Sequence, residues 1–99
     1  MIVVNGIVES TEDSVVELKS AIADMEQASR AEAGCLDYTF SVELNNPHVL
    51  RITERWESIE ALQAHFKMSH MVQFQVAIAA HPPKSSTVKF YEVTELELR

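Results

Sequence analysis

Strict alternation over Cys35–Leu44 is the sequence feature that most constrains the fold of this chain. Every second position there carries an apolar side chain: Leu36, Tyr38, Phe40, Val42 and Leu44. The positions between them are polar: Asp37, Thr39, Ser41 and Glu43. A period of two residues is typical of a β-strand with one buried face. The run therefore predicts a strand in a sheet that is covered on one side.

A second strand is predicted to return beside the first one. Asn45-Asn46-Pro47 has the composition of a turn, and His48–Trp56 follows as a β-branched, apolar stretch. In the returning strand Glu54 shares a face with three apolar side chains, Leu50, Ile52 and Trp56. The two segments together predict an antiparallel hairpin.

The rest of the chain predicts two more strands and two helical regions. A first strand is expected over Ile2–Glu9, and a last one over Ser86–Leu96. Ser10 or Thr11 is expected to cap one amphipathic helix, whose apolar stripe ends before Gly34. The second region holds two helices, for which the sequence offers the caps Ser58 and Ser69 and the stop His81-Pro82-Pro83.

The element order β-α-β-β-α(α)-β predicts an α+β fold of the ferredoxin-like split βαβ type. It has one antiparallel four-stranded sheet with helices on one face. The last strand carries apolar side chains on both faces, with Val88 and Phe90 on one and Tyr91 and Val93 on the other. Burial of both faces would follow if the open sheet packs against a second copy, so we expect a dimer.

Length and charge restrict the class of protein. A chain of 99 residues suits a single domain over 1–99, and a net charge of −7 disfavours nucleic acid and anionic membranes as partners. Cys35 is the only cysteine, which excludes an intrachain disulfide. No secretory leader and no apolar run of the ~20 residues needed for a membrane span is visible, so a cytoplasmic protein is expected.

Two histidines around a short helix are the strongest candidates for chemistry. His65 borders the apolar stripe of its helix and can exchange a proton near neutral pH, although periodicity alone favours a buried, hydrogen-bonded structural residue. His70 follows near the start of the next helix, where it is either a neutral base or simply exposed. The histidines are five residues apart across a helix break, and no carboxylate has a matching spacing, so no metal site is expected.

Other side chains could line a pocket. Trp56 and Tyr38 fit either a core or a cavity wall, and Asn5 is a lone amide in an apolar strand that either bonds to backbone or faces a ligand. Cys35 is more plausible as a small buried hydrophobe than as a nucleophile. With only two glycines, the chain has no phosphate-binding loop for a nucleotide or flavin.

Two segments resemble a known family. Glu32-Ala33-Gly34-Cys35-Leu36-Asp37-Tyr38 is similar to the E-x-G-C-x-x-Y opening of the second strand in antibiotic biosynthesis monooxygenase domains. The stretch from Glu54 to His65, followed by Ser69-His70-Met71, resembles the E-x-W-x-s-x-e-a-l-x-a-H…s-x-H signature of the same family. The resemblance implies a homodimeric α+β barrel with a pocket between sheet and helices in each subunit.

The resemblance also implies a reaction. Well-known members resemble quinol or anthrone monooxygenases that need no metal, flavin or other cofactor, because the substrate anion reduces O2 directly. We therefore expect a monooxygenase acting on a small electron-rich aromatic. His65 would be its catalytic proton acceptor, and the substrate-binding side chains would be Asn5, Tyr38, Trp56, Phe66, His70 and Phe74.

Three alternatives stay open at this point. A dimeric module that binds a small molecule without turnover, for instance in a stress response, would share the fold. Haem-degrading branches use a first-strand Asn, which Asn5 matches, but His65 stands where their Trp is expected and Gln75 near their axial His. An isomerase branch acting on phosphorylated sugar-like signals ranks lower, because the chain has no basic cluster for the phosphate.

Overall fold

The computed structural model describes residues 1–99 as eight elements of secondary structure. In chain order they are β1 (Ile2–Glu9), α1 (Glu12–Glu17), α2 (Lys19–Arg30), β2 (Cys35–Glu43), β3 (Asn46–Trp56), α3 (Ile59–His65), α4 (Ser69–Ala80) and β4 (Ser85–Glu92). The four strands form one antiparallel sheet in the order β2-β3-β1-β4. The predicted ferredoxin-like α+β fold is confirmed.

The pairing register places the chemistry-bearing side chains on one face of the sheet. Val4 of β1 pairs with Glu54 of β3, and Glu54 pairs with Tyr38 of β2. Residues of β1 alternate between buried and more exposed positions along the strand. Because successive side chains point to opposite faces, Val4, Glu54 and Tyr38 lie together on the helix-covered side.

The helix between β1 and β2 is divided, which the sequence did not predict. Thr11, not Ser10, provides the N-cap, and its hydroxyl accepts a hydrogen bond from the Ser14 amide at 3.1 Å. Leu18 ends α1 and starts α2 with its side chain 2% exposed. Burial of Leu18 at the break lets both short helices turn an apolar stripe to the sheet.

The β2–β3 hairpin is tighter than predicted. Leu44 and Asn45 form the turn, and Asn46 already pairs with Glu43. The predicted turn at Asn45-Asn46-Pro47 is therefore displaced by about one residue, and β3 begins before His48. A register shift lies between Cys35 and Asp37, so Leu36 drops out of the alternation and is 46% exposed.

The second helical region agrees with the predicted stops and partly with the predicted caps. The Ser58 hydroxyl accepts from the Ala61 amide at 3.2 Å and caps α3. Ser69 is the first residue of α4 instead of its cap, which is Met68. Neither this region nor any other contains a helix with the length and apolarity of a membrane span.

The last strand is shorter than expected. It ends at Glu92 instead of Leu96, one residue before the Val93 amide donates to the Met1 carbonyl at 2.9 Å. Beyond that point β4 has run past the start of β1, so no neighbouring strand is left for it to pair with. Leu96 and Leu98 are accordingly 72% and 83% exposed.

The hydrophobic core lies between the sheet and the helices. Its fully buried members come from five elements: Ile2, Val4, Met25, Tyr38, Trp56 and Leu62. Trp56 is completely inaccessible and Val4 is 1% exposed. Three ionisable or polar side chains share this interior, Glu54, His65 and Ser29, and the first two belong to the site described next.

Candidate functional site

Both candidate histidines bond to one carboxylate, which the sequence prediction did not include. Oε2 of Glu32 lies 2.6 Å from Nδ1 of His65 and 2.7 Å from Nε2 of His70. The side chains of Glu32 and His65 are 6% and 1% exposed, while that of His70 is 17% exposed. We call these three residues the Glu–His–His cluster; His70 is its accessible end.

The connection after α2 carries Glu32 to the histidines. Gly34 has φ +83°, a left-handed conformation that glycine adopts without strain. Its carbonyl accepts from the Glu57 amide at 2.8 Å, and a Cβ on it would come within 2.6 Å of the Ala61 Cβ. The loop bearing Glu32 is thus fixed against α3, the helix whose last residue is His65.

Aromatic rings enclose the His65 imidazole. The ring of Trp56 lies 4.7 Å from it, that of Tyr38 5.4 Å and that of His70 5.9 Å, centroid to centroid. Tyr38 continues the aromatic contacts to Phe40 at 5.8 Å, and Phe40 reaches Phe74 at 5.4 Å. These contacts hold the buried imidazole in one orientation.

A second buried carboxyl lies beside the cluster. Oε1 of Glu54 accepts a hydrogen bond from Nε1 of Trp56 at 2.9 Å. Burial raises the pKa of the Glu54 carboxyl, against the opposing effects of the Trp56 hydrogen bond and the nearby His65, and the charge of Glu32 adds to the increase. Glu54 therefore favours its neutral form more than an exposed glutamate does.

The same environment suppresses ionisation of two further groups. Burial raises the pKa of the Tyr38 hydroxyl, and the charge of Glu54 adds to the effect. Burial and the charge of Glu32 likewise raise the pKa of the Cys35 thiol. Tyr38 stays a neutral phenol and Cys35 a neutral thiol near pH 7, so neither suits the role of a nucleophile or base.

The structure brings together most, but not all, of the residues named from the sequence. Tyr38, Trp56, His65 and His70 lie in one cluster, and Phe74 packs against the core beside it. The Phe66 ring also lies 6.0 Å from that of His65, but Phe66 is 48% exposed and faces Phe90 of β4, with ring centroids 6.1 Å apart. It borders a different opening from His70.

Asn5 lies on the opposite face of the sheet from the histidines. It is exposed and pairs with Thr53 and Lys89 across the neighbouring strands. With Arg51 and Tyr91 these residues line a concavity of about 670 Å³ on the uncovered face. The strand alternation that buries Val4 turns the next residue, Asn5, outward.

The cavities lie around the Glu–His–His cluster and not at its centre. Of the four cavities at the surface of the molecule described here, none is lined by Tyr38, Trp56 or His65. His70 borders a cavity of about 100 Å³ together with Asp24, Met25 and Phe74. An apolar cavity of about 380 Å³ lies between the first helices and the sheet. A molecule entering from solvent would meet His70 before His65.

Two functional candidates were missed from the sequence, and each had a signal. Glu32 is the first residue of the quoted E-x-G-C-x-x-Y segment, and Glu54 is a charged residue on an apolar strand face. The argument against a metal used only the spacing of His65 and His70, so it overlooked a carboxylate 33 and 38 residues away. The spacing of the two histidines therefore gives no argument against a metal site.

Comparison with known proteins agrees with the fold. The sequence profile of the family "antibiotic biosynthesis monooxygenase" matches residues 1–77, which include the whole Glu–His–His cluster. The chain belongs to this family. Among the curated proteins no sequence matches the chain.

Solved structures of similar shape include other members of the antibiotic biosynthesis monooxygenase family. A candidate monooxygenase of this kind from Deinococcus radiodurans is 25% identical, with a TM-score of 0.90 over 100% of this chain and 98% of that one. One from Nitrosomonas europaea is 16% identical, with a TM-score of 0.88 over 96% and 100% of the two chains. A Bacteroides thetaiotaomicron protein of unknown function, described as a possible oxidoreductase, is 25% identical, with a TM-score of 0.83 over 93% and 96%.

Proposed function

We propose that this family member is a cofactor-independent monooxygenase that oxidises a small electron-rich aromatic, of the quinol or anthrone type, with O2. The observation that carries the proposal is the Glu–His–His cluster. A carboxylate bonded to two imidazoles, one of them at the surface of a cavity, is suited to accept a proton from a phenolic substrate and retain it.

The proposed reaction needs a base, because the substrate reduces O2 only after it has lost a proton. Removal of a proton gives a substrate anion, which reduces O2 and forms a carbon–oxygen bond, leaving a peroxide on that carbon. Loss of the second proton from the carbon breaks the O–O bond and leaves a carbonyl. The departing oxygen takes up protons and leaves as water. One oxygen atom of O2 thus enters the product, and the other becomes water.

The geometry favours a division of roles between the histidines. His70 is the accessible imidazole and would take the proton from substrate. Glu32 holds both rings and would stabilise the imidazolium that forms. His65 was expected to be the catalytic residue; because its side chain is 1% exposed, it acts in this proposal through Glu32, as a positioning residue.

Activity is tested with a panel of quinols and anthrones under ¹⁸O2. We expect O2 consumption and a product with one labelled oxygen. His70→Ala should lower kcat by about 100-fold or more, the range lost with a general base. His81→Ala, a histidine outside the cluster, is the matched control and should keep the full rate. Absence of O2 uptake on every substrate, or an unchanged rate in His70→Ala, would sink the proposal.

The role of His65 needs its own readout. His65→Ala should lower kcat and displace the pH–rate profile, because the second partner of Glu32 is gone. His65→Gln, which can still donate to Glu32, should recover part of the rate. A rate and a pH profile identical to those of the unaltered protein would remove His65 from the site.

We further propose that two copies pack through the uncovered face of the sheet. Its concavity combines apolar Ile7 and Tyr91, 42% and 45% exposed, with Asn5 and Arg51. A surface of mixed apolar and polar side chains over the three strands β1, β3 and β4 is typical of a specific interface. Sedimentation equilibrium at micromolar concentration should give twice the 11.1 kDa mass of the chain; the monomer mass would contradict the dimer.

A second candidate is a module that binds a small apolar molecule without turnover. The cavity of about 380 Å³ favours it, because seven of its ten lining residues are hydrophobic and none belongs to the Glu–His–His cluster. Val15, Ile22 and Phe40 are among them. Tight binding of aromatics that is unaffected by His70→Ala, with no O2 uptake, would favour this function over oxidation.

A further inference from the structure

The donor atoms of the Glu–His–His cluster are those of a zinc site. Two imidazoles and one carboxylate are a common three-ligand set for Zn²⁺ in proteins, with a fourth position left for water or another ligand. The three donor atoms all lie within 4.8 Å of one another. They come from the loop after α2, the end of α3 and the first turn of α4, so the tertiary fold alone assembles them.

A small rearrangement would admit the ion. A tetrahedral Zn²⁺ with bonds of about 2.0–2.1 Å needs its ligand atoms roughly 3.3 Å apart. Oε2 of Glu32 now lies 2.6 and 2.7 Å from the two nitrogens, the distances of hydrogen bonds. Lengthening these two contacts by roughly 0.7 Å would bring them to coordination spacing, with each neutral imidazole then carrying its proton on its other ring nitrogen.

A buried, unsatisfied oxygen is a second, independent observation that points to a ligand at this site. Oε1 of Glu32 has no hydrogen-bond partner, although the Glu32 side chain is only 6% exposed. A buried carboxylate oxygen without a partner is costly, and such groups commonly have an unassigned ion or water beside them. Bidentate coordination of a cation, through Oε1 as well as Oε2 of Glu32, would remove that cost.

Local charge also favours a cation. The cluster contains one carboxylate and two imidazoles, with the Glu54 carboxyl close enough to interact with Glu32. No lysine or arginine makes an ion pair with Glu32 or Glu54. A divalent ion would therefore meet the Glu32 carboxylate without competition from a lysine or an arginine.

We propose that Glu32, His65 and His70 form a binding site for Zn²⁺, and that zinc held there blocks the proton transfer of the proposed oxidation. Zinc would occupy the lone pairs of His65 Nδ1 and His70 Nε2. An imidazole whose lone pair is bound to metal cannot take up a proton from the substrate. The binding stands independently, whereas the inhibition rests on the proposed function.

Calorimetric titration of the tag-free, chelator-treated protein with ZnCl2 tests the binding without substrate or O2. We expect one Zn²⁺ per chain. Glu32→Gln and His70→Ala should each weaken binding at least about tenfold, while His48→Ala and His81→Ala, which alter histidines outside the cluster, should bind as before. Circular dichroism of each variant identifies any loss of binding that is due to unfolding.

Cobalt provides a second readout. Co²⁺ in place of Zn²⁺ should give visible d–d absorption typical of a four-coordinate nitrogen and oxygen site, and Glu32→Gln should abolish it. Stoichiometry well below one, or binding that His48→Ala or His81→Ala removes and Glu32→Gln leaves intact, would overturn the site.

Inhibition is measured separately on an active preparation. Zinc at saturating concentration should lower the oxidation rate by at least tenfold, and a chelator should restore it. Full activity of the zinc-loaded protein would overturn the inhibition and leave the metal site standing. A protein that binds zinc but oxidises no substrate would contradict the proposed function alone.

Discussion

The two faces of the sheet are built from the same strands but differ in the burial of their side chains. On the covered face Trp56, Val4 and Tyr38 are almost inaccessible, and they surround buried carboxyl and imidazole groups. On the uncovered face the neighbouring residues, such as Asn5 and Ile7, are exposed. Strand alternation therefore separates the buried carboxyl and imidazole groups from the exposed face with a spacing of one residue.

The largest expected effect tests the covered face. Trp56→Ala should lower the free energy of unfolding by about 3–5 kcal/mol, because it leaves a cavity and removes the hydrogen-bond donor of Glu54. Urea denaturation at low protein concentration measures it. Tyr91→Ala on the uncovered face is the control, with an expected loss below about 1 kcal/mol. Equal losses of unfolding free energy in the two variants would show that the covered face does not stabilise the fold more than the uncovered face.

The next effect concerns the loop that carries Glu32. Gly34→Ala should cost about 2 kcal/mol, because φ is +83° and the added Cβ would lie 2.6 Å from that of Ala61. Gly6→Ala is a matched control: its Cβ would meet only the Ile52 side chain at 3.2 Å, and its φ is not positive. Gly34→Ala should therefore unfold at a lower midpoint temperature than Gly6→Ala. The reverse order would contradict the role given to Gly34.

A smaller effect depends on pH. Burial raises the pKa of Glu54 above its ordinary value of 4.5, so the folded protein retains this proton more tightly than the unfolded chain. As pH rises above 4.5 the unfolded chain releases it first, and the stability falls until the pKa of the folded state is passed. Glu54→Gln keeps a hydrogen-bond acceptor for Trp56 without this loss.

Glu54→Gln should therefore be more stable than the unaltered protein at pH 7 and gain less at pH 4.5. Urea denaturation across this range measures the difference, with the exposed Glu57→Gln as a control for the loss of one charge. A stability gain that grows as pH falls would contradict the stated direction of the pKa shift.

The smallest effect on stability is expected on the uncovered face. Ile7→Glu should change the free energy of unfolding of the monomer by less than about 1 kcal/mol, since the side chain is already 42% exposed. It should nevertheless shift the mass in sedimentation toward that of the monomer. If the mass is unaltered while stability falls by several kcal/mol, Ile7 belongs to the core of the chain and not to an interface.

Sequence periodicity was enough to predict the sheet, because alternation along Cys35–Leu44 is a local property. The predicted helix stop at His81-Pro82-Pro83 also follows from local backbone chemistry, whereas α2 ends at Arg30, four residues before the predicted stop at Gly34. The break at Leu18 could not be predicted this way, because the apolar stripe continues through it. The position of this break depends on tertiary packing, in which Leu18 is buried.

The candidate site was predictable only in part for the same reason. His65, His70, Trp56 and Tyr38 were named from the sequence and lie together. Glu32, which joins the histidines, is supplied by a loop far away in the chain, and no helical or strand period connects such residues. The face on which Asn5 lies depends on the strand register, because a slip of one residue would move its side chain to the other face.

The hydrogen bonds of Glu32 have a consequence for how the protein folds. They span 33 and 38 residues, and β2, β3 and α3 all lie between their ends. Closing loops of this length costs more chain entropy than forming a helix or a hairpin. We therefore expect the cluster to be completed late in folding, after α3 and the β2–β3 hairpin have formed.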